Sequence, residues 1–200
     1  MLTKSELTKL VGNSAGKKIL CVGPDQGDVN MDDVPESCLV HNLDYYVKDV
    51  LKGTKNIKGD FNLAWDVDND YDCVIMSFVL EHTLNPKFLI EQAHKVLKKG
   101  GTCFVRIPIG FAIADIVQVS VGEITDTPQG HYYFFNLQDI LKKMYDAGFI
   151  MSDFRMMGFE DNLHCWSCAE RWKAMVAYYR NTYGFDLTKD NGFEGYFRKK

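Results

Sequence analysis

The chain has 200 residues, 46% of them hydrophobic and 25% charged, with a formal net charge of -4. That length suits a single domain, 1–200, with a sizeable core, and the composition excludes disordered and collagen-like chains. The negative balance supplies no global field for a phosphate backbone, so DNA is not an expected partner. Residues Met1 to Lys9 are too polar for a signal peptide, and no run approaches the ~18 apolar residues of a membrane span, so a cytoplasmic protein without a membrane partner is expected.

In chain order, Lys17–Gly23 is a short apolar run ending at glycine, the pattern of a strand buried on both faces. A second run, Cys38–Leu43, ends at Asp44, and a weaker third spans Asn56–Phe61 and is closed by Asp60. Tyr71–Phe78 and Thr102–Ile109 are further buried strands. Between these two, Asn85 caps and Pro86 opens a helix whose apolar stripe is Leu89, Ala93, Val96 and Leu97; Lys98 and Lys99 suit its carbonyl end and Gly100-Gly101 stops it. Asn136–Gly148 repeats that logic, with Asn136 as cap and Leu137, Ile140, Leu141 and Met144 as stripe. Phe149–Phe159 reads as a strand. Ser167 and Glu170 form a capping box for an added helix within a 160–192 elaboration, before a last strand Phe193–Arg198. Strands alternating with helices predict an α/β fold: a doubly wound, mainly parallel, seven-stranded sheet with ligands beyond the carboxyl ends of its strands.

Four of the six cysteines, Cys21, Cys38, Cys73 and Cys103, lie in these apolar runs as buried thiols do. Cys165-Trp-Ser-Cys168 has the spacing of a zinc or redox pair but lacks a second ligand pair, so no metal is expected.

Three strand ends place chemistry along one edge: the turn Val22-Gly23-Pro24-Asp25-Gln26-Gly27, then Asp44, then Asp60. Asp44 follows Gly23 at about the twenty-residue offset at which a carboxylate bonds a ribose diol. Asp25, Asp28, Asp32, Asp33 and Glu36 follow the glycine turn with no Lys or Arg before Lys48, which disfavours a pyrophosphate such as that of NAD and favours a cationic sulfonium, S-adenosylmethionine.

The strings Gly59-Asp60-Phe61-Asn62-Leu63-Ala64-Trp65, Tyr71-Asp72-Cys73-Val74-Ile75-Met76, Phe78-Val79-Leu80-Glu81-His82 with Asn85-Pro86, Lys95 through Gly101, and His131 through Phe149 resemble the class I S-adenosylmethionine-dependent methyltransferases, in particular their small single-domain members acting on small molecules. The resemblance implies that Gly23, Pro24 and Gly27 approach the methionyl part of the cofactor, that Asp44 holds the ribose hydroxyls, that Asp60 and Phe61 border the adenine, and that Ser77 and Phe78 line the reaction centre. It also implies a Rossmann-like fold. Two departures from the family pattern, Cys21 in place of an acid and Asp25 in place of a glycine, leave a catalytically lapsed binding or accessory protein as the alternative.

Methyl transfer to a hydroxyl requires a base, and His131 and His82 fall in segments that the fold would place near the pocket mouth. The chain has neither an Asn-Pro-Pro-Tyr-like string after the fourth strand nor a Pro-Cys pair, which argues against DNA base methylation. Trp166, Trp172, Tyr178, Tyr179, Tyr183 and Phe185 could cover a small polar acceptor such as a sugar or glycan.

Overall fold

A computed structural model describes residues 4–12, 16–24, 38–45, 55–108, 133, 135–157, 181 and 192–200. Seven strands, β1 (Lys18–Val22), β2 (Leu39–Asp44), β3 (Lys55–Lys58), β4 (Tyr71–Ser77), β5 (Leu97–Pro108), β6 (Phe149–Met157) and β7 (Gly192–Lys199), form one sheet in the order β3-β2-β1-β4-β5-β7-β6. The first five pair in parallel, and β7 enters antiparallel to both β5 and β6. The mainly parallel, seven-stranded α/β sheet expected from the sequence is therefore present. Three α-helices accompany it among the described residues: α1 (Lys4–Val11), α2 (Pro86–Val96) and α3 (Leu137–Asp146).

Alternate residues of each strand point to opposite faces, and each face has its own core. Leu20, Val22, Val74, Met76, Val105 and Phe193 pack with Leu89, Ile90, Ala93 and Val96 of α2 and with Ile140 and Met144 of α3. Ile19, Cys21, Cys73, Ile75, Phe104 and Tyr196 pack with Leu7, Leu10 and Val11 of α1. Cys21, Cys38, Cys73 and Cys103 are all buried, as expected from their apolar runs.

Both helix starts follow the sequence. Asn85 Oδ1 accepts from Phe88 N at 3.1 Å with Pro86 in the first turn, and Asn136 Oδ1 accepts from Asp139 N at 2.9 Å. Some boundaries differ. Helix α2 ends at Val96, and Leu97, expected in its stripe, instead opens β5 opposite Tyr71. Lys98 does not serve the helix end; its Nζ reaches Asp72 Oδ2 at 3.0 Å. Strand β3 stops at Lys58, so Asp60 sits two residues beyond the strand it was expected to close, and Phe61 lies in the following turn. Helix α1 was not anticipated at all.

Asp72 pins the amino ends of β1, β4 and β5, accepting from Lys18 N at 2.9 Å and Lys17 Nζ at 3.2 Å as well as from Lys98. Its partial burial alone would raise its pKa, yet these donors outweigh burial and hold it below the usual carboxylate range. This polar anchor occupies the end of the sheet opposite the one the glycine turn and carboxylates occupy. No helix among the described residues is long and apolar enough to cross a membrane.

Candidate active site

Between β1 and β4 the chain order of the sheet reverses, which opens a crevice beyond the carboxyl ends of the strands. Gly23 follows β1 there with φ 62°, a conformation glycine adopts without steric cost. Its N–H donates to Leu43 O at 2.8 Å, which continues the ladder with β2 one residue past the strand. A Cβ on Gly23 would stand 2.7 Å from Val79 Cγ2 and 3.5 Å from Phe61 Cε1. The ends of β1, β3 and β4 thus meet at this glycine, and the buried Pro24 follows it. Gly23→Ala should cost about 2–4 kcal/mol in urea unfolding, from the left-handed backbone and the overpacked Val79 together. Adding Val79→Ala should recover the steric share.

Asp44 ends β2 half-buried, and its carbonyl accepts from Gly59 N at 2.9 Å. Asp60 organises the loop after β3. Its Oδ1 accepts from Asn62 N at 2.8 Å and Asn62 Nδ2 at 3.0 Å, and Asn62 Oδ1 in turn accepts from Thr83 Oγ1 at 2.7 Å and Leu84 N at 2.8 Å. One short relay therefore ties the loop after β3 to the loop after β4. Phe61 is held from behind, since Trp65 Nε1 donates to Phe61 O at 3.1 Å. Asn62 and Thr83 were not singled out in the sequence; the Asp-x-Asn spacing of 60 and 62 was the available sign, because such side chains bond backbone two residues away.

Ser77 ends β4, buried, and Phe78 follows with φ 52°. A positive φ on a bulky residue is costly and persists only where neighbours enforce it, which recurs at functional sites. Phe78 N donates to Arg106 O at 2.8 Å, and the Arg106 guanidinium lies 6.0 Å from the Phe78 ring centre. A row of side chains crosses four strands at this level: Ser77, Arg106, Glu194 and Arg155 are register neighbours on β4, β5, β7 and β6. Glu194 is 1% exposed; its Oε1 accepts from Arg106 Nε at 2.6 Å and its Oε2 from Arg155 Nε at 2.8 Å.

A 3-10 turn, Leu80–His82, follows Phe78. His82 is half-buried within it and donates its N–H to Val79 O at 3.1 Å. Glu81 is 1% exposed, and neither carboxylate oxygen finds a hydrogen-bond partner among the described residues. Burial pushes its carboxyl up to about 8, and the pull of its own backbone amide offsets little of this. Tyr133 caps the turn, with its N–H on Glu81 O at 3.3 Å and its Oη on Leu84 O at 3.0 Å.

Of the expected site residues, the structure gathers Gly23, Pro24, Asp44, Asp60, Phe61, Ser77, Phe78 and His82 along the carboxyl edge. Gly27, Asp25, His131, Cys165 and Cys168 lie outside the described residues, as does all of 160–192 except Asn181 and Gly192. No group of three or more His, Cys, Asp or Glu side chains among the described residues could hold a metal ion. A carboxylate at the end of β2, an aromatic ring after β3 and a backbone held open at Gly23 fit a nucleoside with a free diol.

The model of a family described as "Methyltransferase domain" matches residues 3–151. Among solved structures, an S-adenosylmethionine-dependent methyltransferase of Mesorhizobium loti is similar over 96% of this chain and 95% of its own, with TM-score 0.65 and 12% identity. Phosphoethanolamine N-methyltransferase 2 of Haemonchus contortus, solved with S-adenosyl-L-methionine, is similar over 96% of this chain and 51% of its own, with TM-score 0.61 and 14% identity. The [4+2]-cyclase SpnF is similar over 98% of this chain and 79% of its own, with TM-score 0.63 and 16% identity. Identities this low show a shared fold, and the cyclase among them shows that the fold alone does not set the reaction. No curated protein matches the sequence.

Proposed function

The chain belongs to the methyltransferase-domain family and is an S-adenosylmethionine-dependent methyltransferase, and from that premise we propose that it methylates a small polar acceptor at the crevice between β1 and β4. The observation that carries the location is the meeting of strand ends at Gly23, with Val79 and Phe61 against it and Asp44 and Asp60 closing the neighbouring loops. In this reading Asp44 bonds the ribose hydroxyls, Phe61 and the Asp60 loop border the adenine, and Gly23 and Pro24 lie along the methionyl part. Ser77 and the strained Phe78 stand where the acceptor meets the methyl group. S-adenosylmethionine supplies the activated methyl, so the chain's own work is alignment and, for a hydroxyl acceptor, proton removal.

The sugar or glycan acceptor expected from the sequence rested on aromatic residues of 162–190 outside the described part, and what supports the proposal is the coarser class of small polar molecules. His82 is the described candidate for a base, and His131 remains the other.

The direct test is transfer of a labelled methyl group to a panel of small hydroxyl and amine compounds, with S-adenosylhomocysteine release followed in parallel. Stimulated release and a labelled small product are expected. Label found only in DNA, or no acceptor-dependent release from a chain that binds the cofactor, would contradict the reading, and the second result would favour the lapsed accessory protein. Asp44→Ala should weaken cofactor binding by about 1.5–3 kcal/mol, the worth of hydrogen bonds to a charged group, while leaving unliganded thermal stability nearly unchanged. Unaltered affinity in that folded variant would remove Asp44 from the site.

A further inference from the structure

Glu81 is a group that the proposed chemistry does not use. Its carboxyl is 1% exposed and its two oxygens bond to nothing among the described residues, although buried polar groups are nearly always paired. It sits in the turn that leaves β4, four residues past the end of that strand and at the reversal of chain order where the acceptor must approach. The turn is held on both sides. Val79 packs at Gly23, and Tyr133 spans Glu81 O and Leu84 O. Among the described residues no charged side chain compensates the carboxyl: burial dominates its environment, and Arg106 on the neighbouring strand is bonded to Glu194.

Resting on the methyl-transfer reading above, we propose that Glu81 is the acceptor-recognition residue and that the acceptor is an amine, bound through its ammonium group to the Glu81 carboxylate. A hydroxyl has one proton to donate and would satisfy one oxygen. An ammonium offers up to three donors and the positive charge that makes an ionised carboxylate tolerable in a buried place. Binding sends the carboxyl's proton to solvent, leaving a carboxylate paired with the ammonium. The carboxylate then takes one N–H proton, which frees the nitrogen lone pair. That pair forms the new N–C bond as the methyl–sulfur bond breaks toward sulfur, so the sulfonium's positive charge ends on the methylated nitrogen. Taking that proton is general-base work, which a carboxylate within hydrogen-bond reach of the nitrogen can do.

The test follows the Glu81 side-chain carboxyl by carbon NMR across pH in the full chain saturated with S-adenosylhomocysteine, using ethanolamine as probe and ethylene glycol as its uncharged counterpart. Glu81→Gln identifies the signal by its disappearance, and backbone correlation in the unaltered chain identifies it if that variant does not fold. Ethanolamine is expected to lower the titration midpoint by more than about one pH unit, as a close opposite charge does, while ethylene glycol leaves it in place. A midpoint that ethanolamine does not move, or that both compounds move equally, overturns the proposal. Calorimetry on the same sample separates the two failures: absence of S-adenosylhomocysteine binding strikes the methyl-transfer reading itself, whereas binding with an unresponsive Glu81 strikes the amine alone.

Discussion

Glu194→Ala should lower the unfolding free energy by about 3–5 kcal/mol, the range for removing one partner of a buried ion pair. Glu194 is 1% exposed and serves two arginines, of which Arg106 has a side chain only 11% exposed while that of Arg155 is 53% exposed. The variant therefore removes the carboxylate that faces the buried Arg106 guanidinium, whereas Arg155 can turn to water. For a chain of this length the loss corresponds to a fall in Tm of roughly 6–20 °C. Arg155→Ala should cost about 1 kcal/mol or less, because its exposed charge is already solvated. Equal losses in the two variants, measured by urea unfolding, would show that burial does not govern this pair. The consequence reaches the site, since Arg106 O holds Phe78 N at 2.8 Å and with it the strained backbone at the end of β4.

The second large effect is a pH dependence from Glu81. Its folded pKa lies near 8, above the ordinary carboxylate value of 4.5, so the folded state keeps a proton that the unfolded state has released. The contribution is fully present below about pH 4.5 and is lost as pH rises toward 8, at about 1.4 kcal/mol per pH unit, for a total of a few kcal/mol. Glu81→Gln cannot ionise. Its unfolding free energy relative to the unaltered chain should therefore climb between pH 5 and pH 8 and level off above that. Parallel stability profiles over this range would mean that the Glu81 carboxyl is hydrated in solution.

Much of the fold was legible because its signals are local. Asn85-Pro86 and Asn136 each carry a cap and a first turn in a few residues, and the apolar runs of β1 and β4 announce strands covered on both faces. Helix α1 was not legible in the same way: Leu7, Leu10 and Val11 keep helical spacing before Gly12, but the stripe is short and interrupted by charged and polar residues. At Leu97 a local rule gave the wrong boundary. Apolar spacing continues through it and Gly100-Gly101 resembles a helix stop, yet pairing with Tyr71 and the reach of Lys98 to Asp72 draw the chain into a strand. Both competing contacts are more than twenty residues away in sequence, beyond what a window of spacing can contain.

The site divides along the same line. Gly23, Asp44 and Asp60 could be picked out because each ends or follows an apolar run, whereas Arg106 and Glu194 carry no local mark and Glu81, though part of the Phe78–His82 string, gives no local sign of its burial. Arg106 and Glu194 meet across 88 positions, and only the assembled sheet shows that they are buried together. Phe78 likewise reads as the last residue of a strand, and its positive φ accompanies a bond to Arg106 O on the next strand. Asp60 was marked for a ligand, and its side chain proves to hold the Asn62 relay to Thr83, so its contact with the adenine edge would be made through the loop it shapes.

Isothermal calorimetry of the full chain with S-adenosylmethionine and with S-adenosylhomocysteine tests the central claim, that the carboxyl edge between β1 and β4 binds this cofactor. One site per chain is predicted for each compound, with affinity at least tenfold weaker in Asp44→Ala, the equivalent of about 1.4 kcal/mol. No heat from either compound at millimolar concentration, or binding that Asp44→Ala leaves intact, would contradict the account.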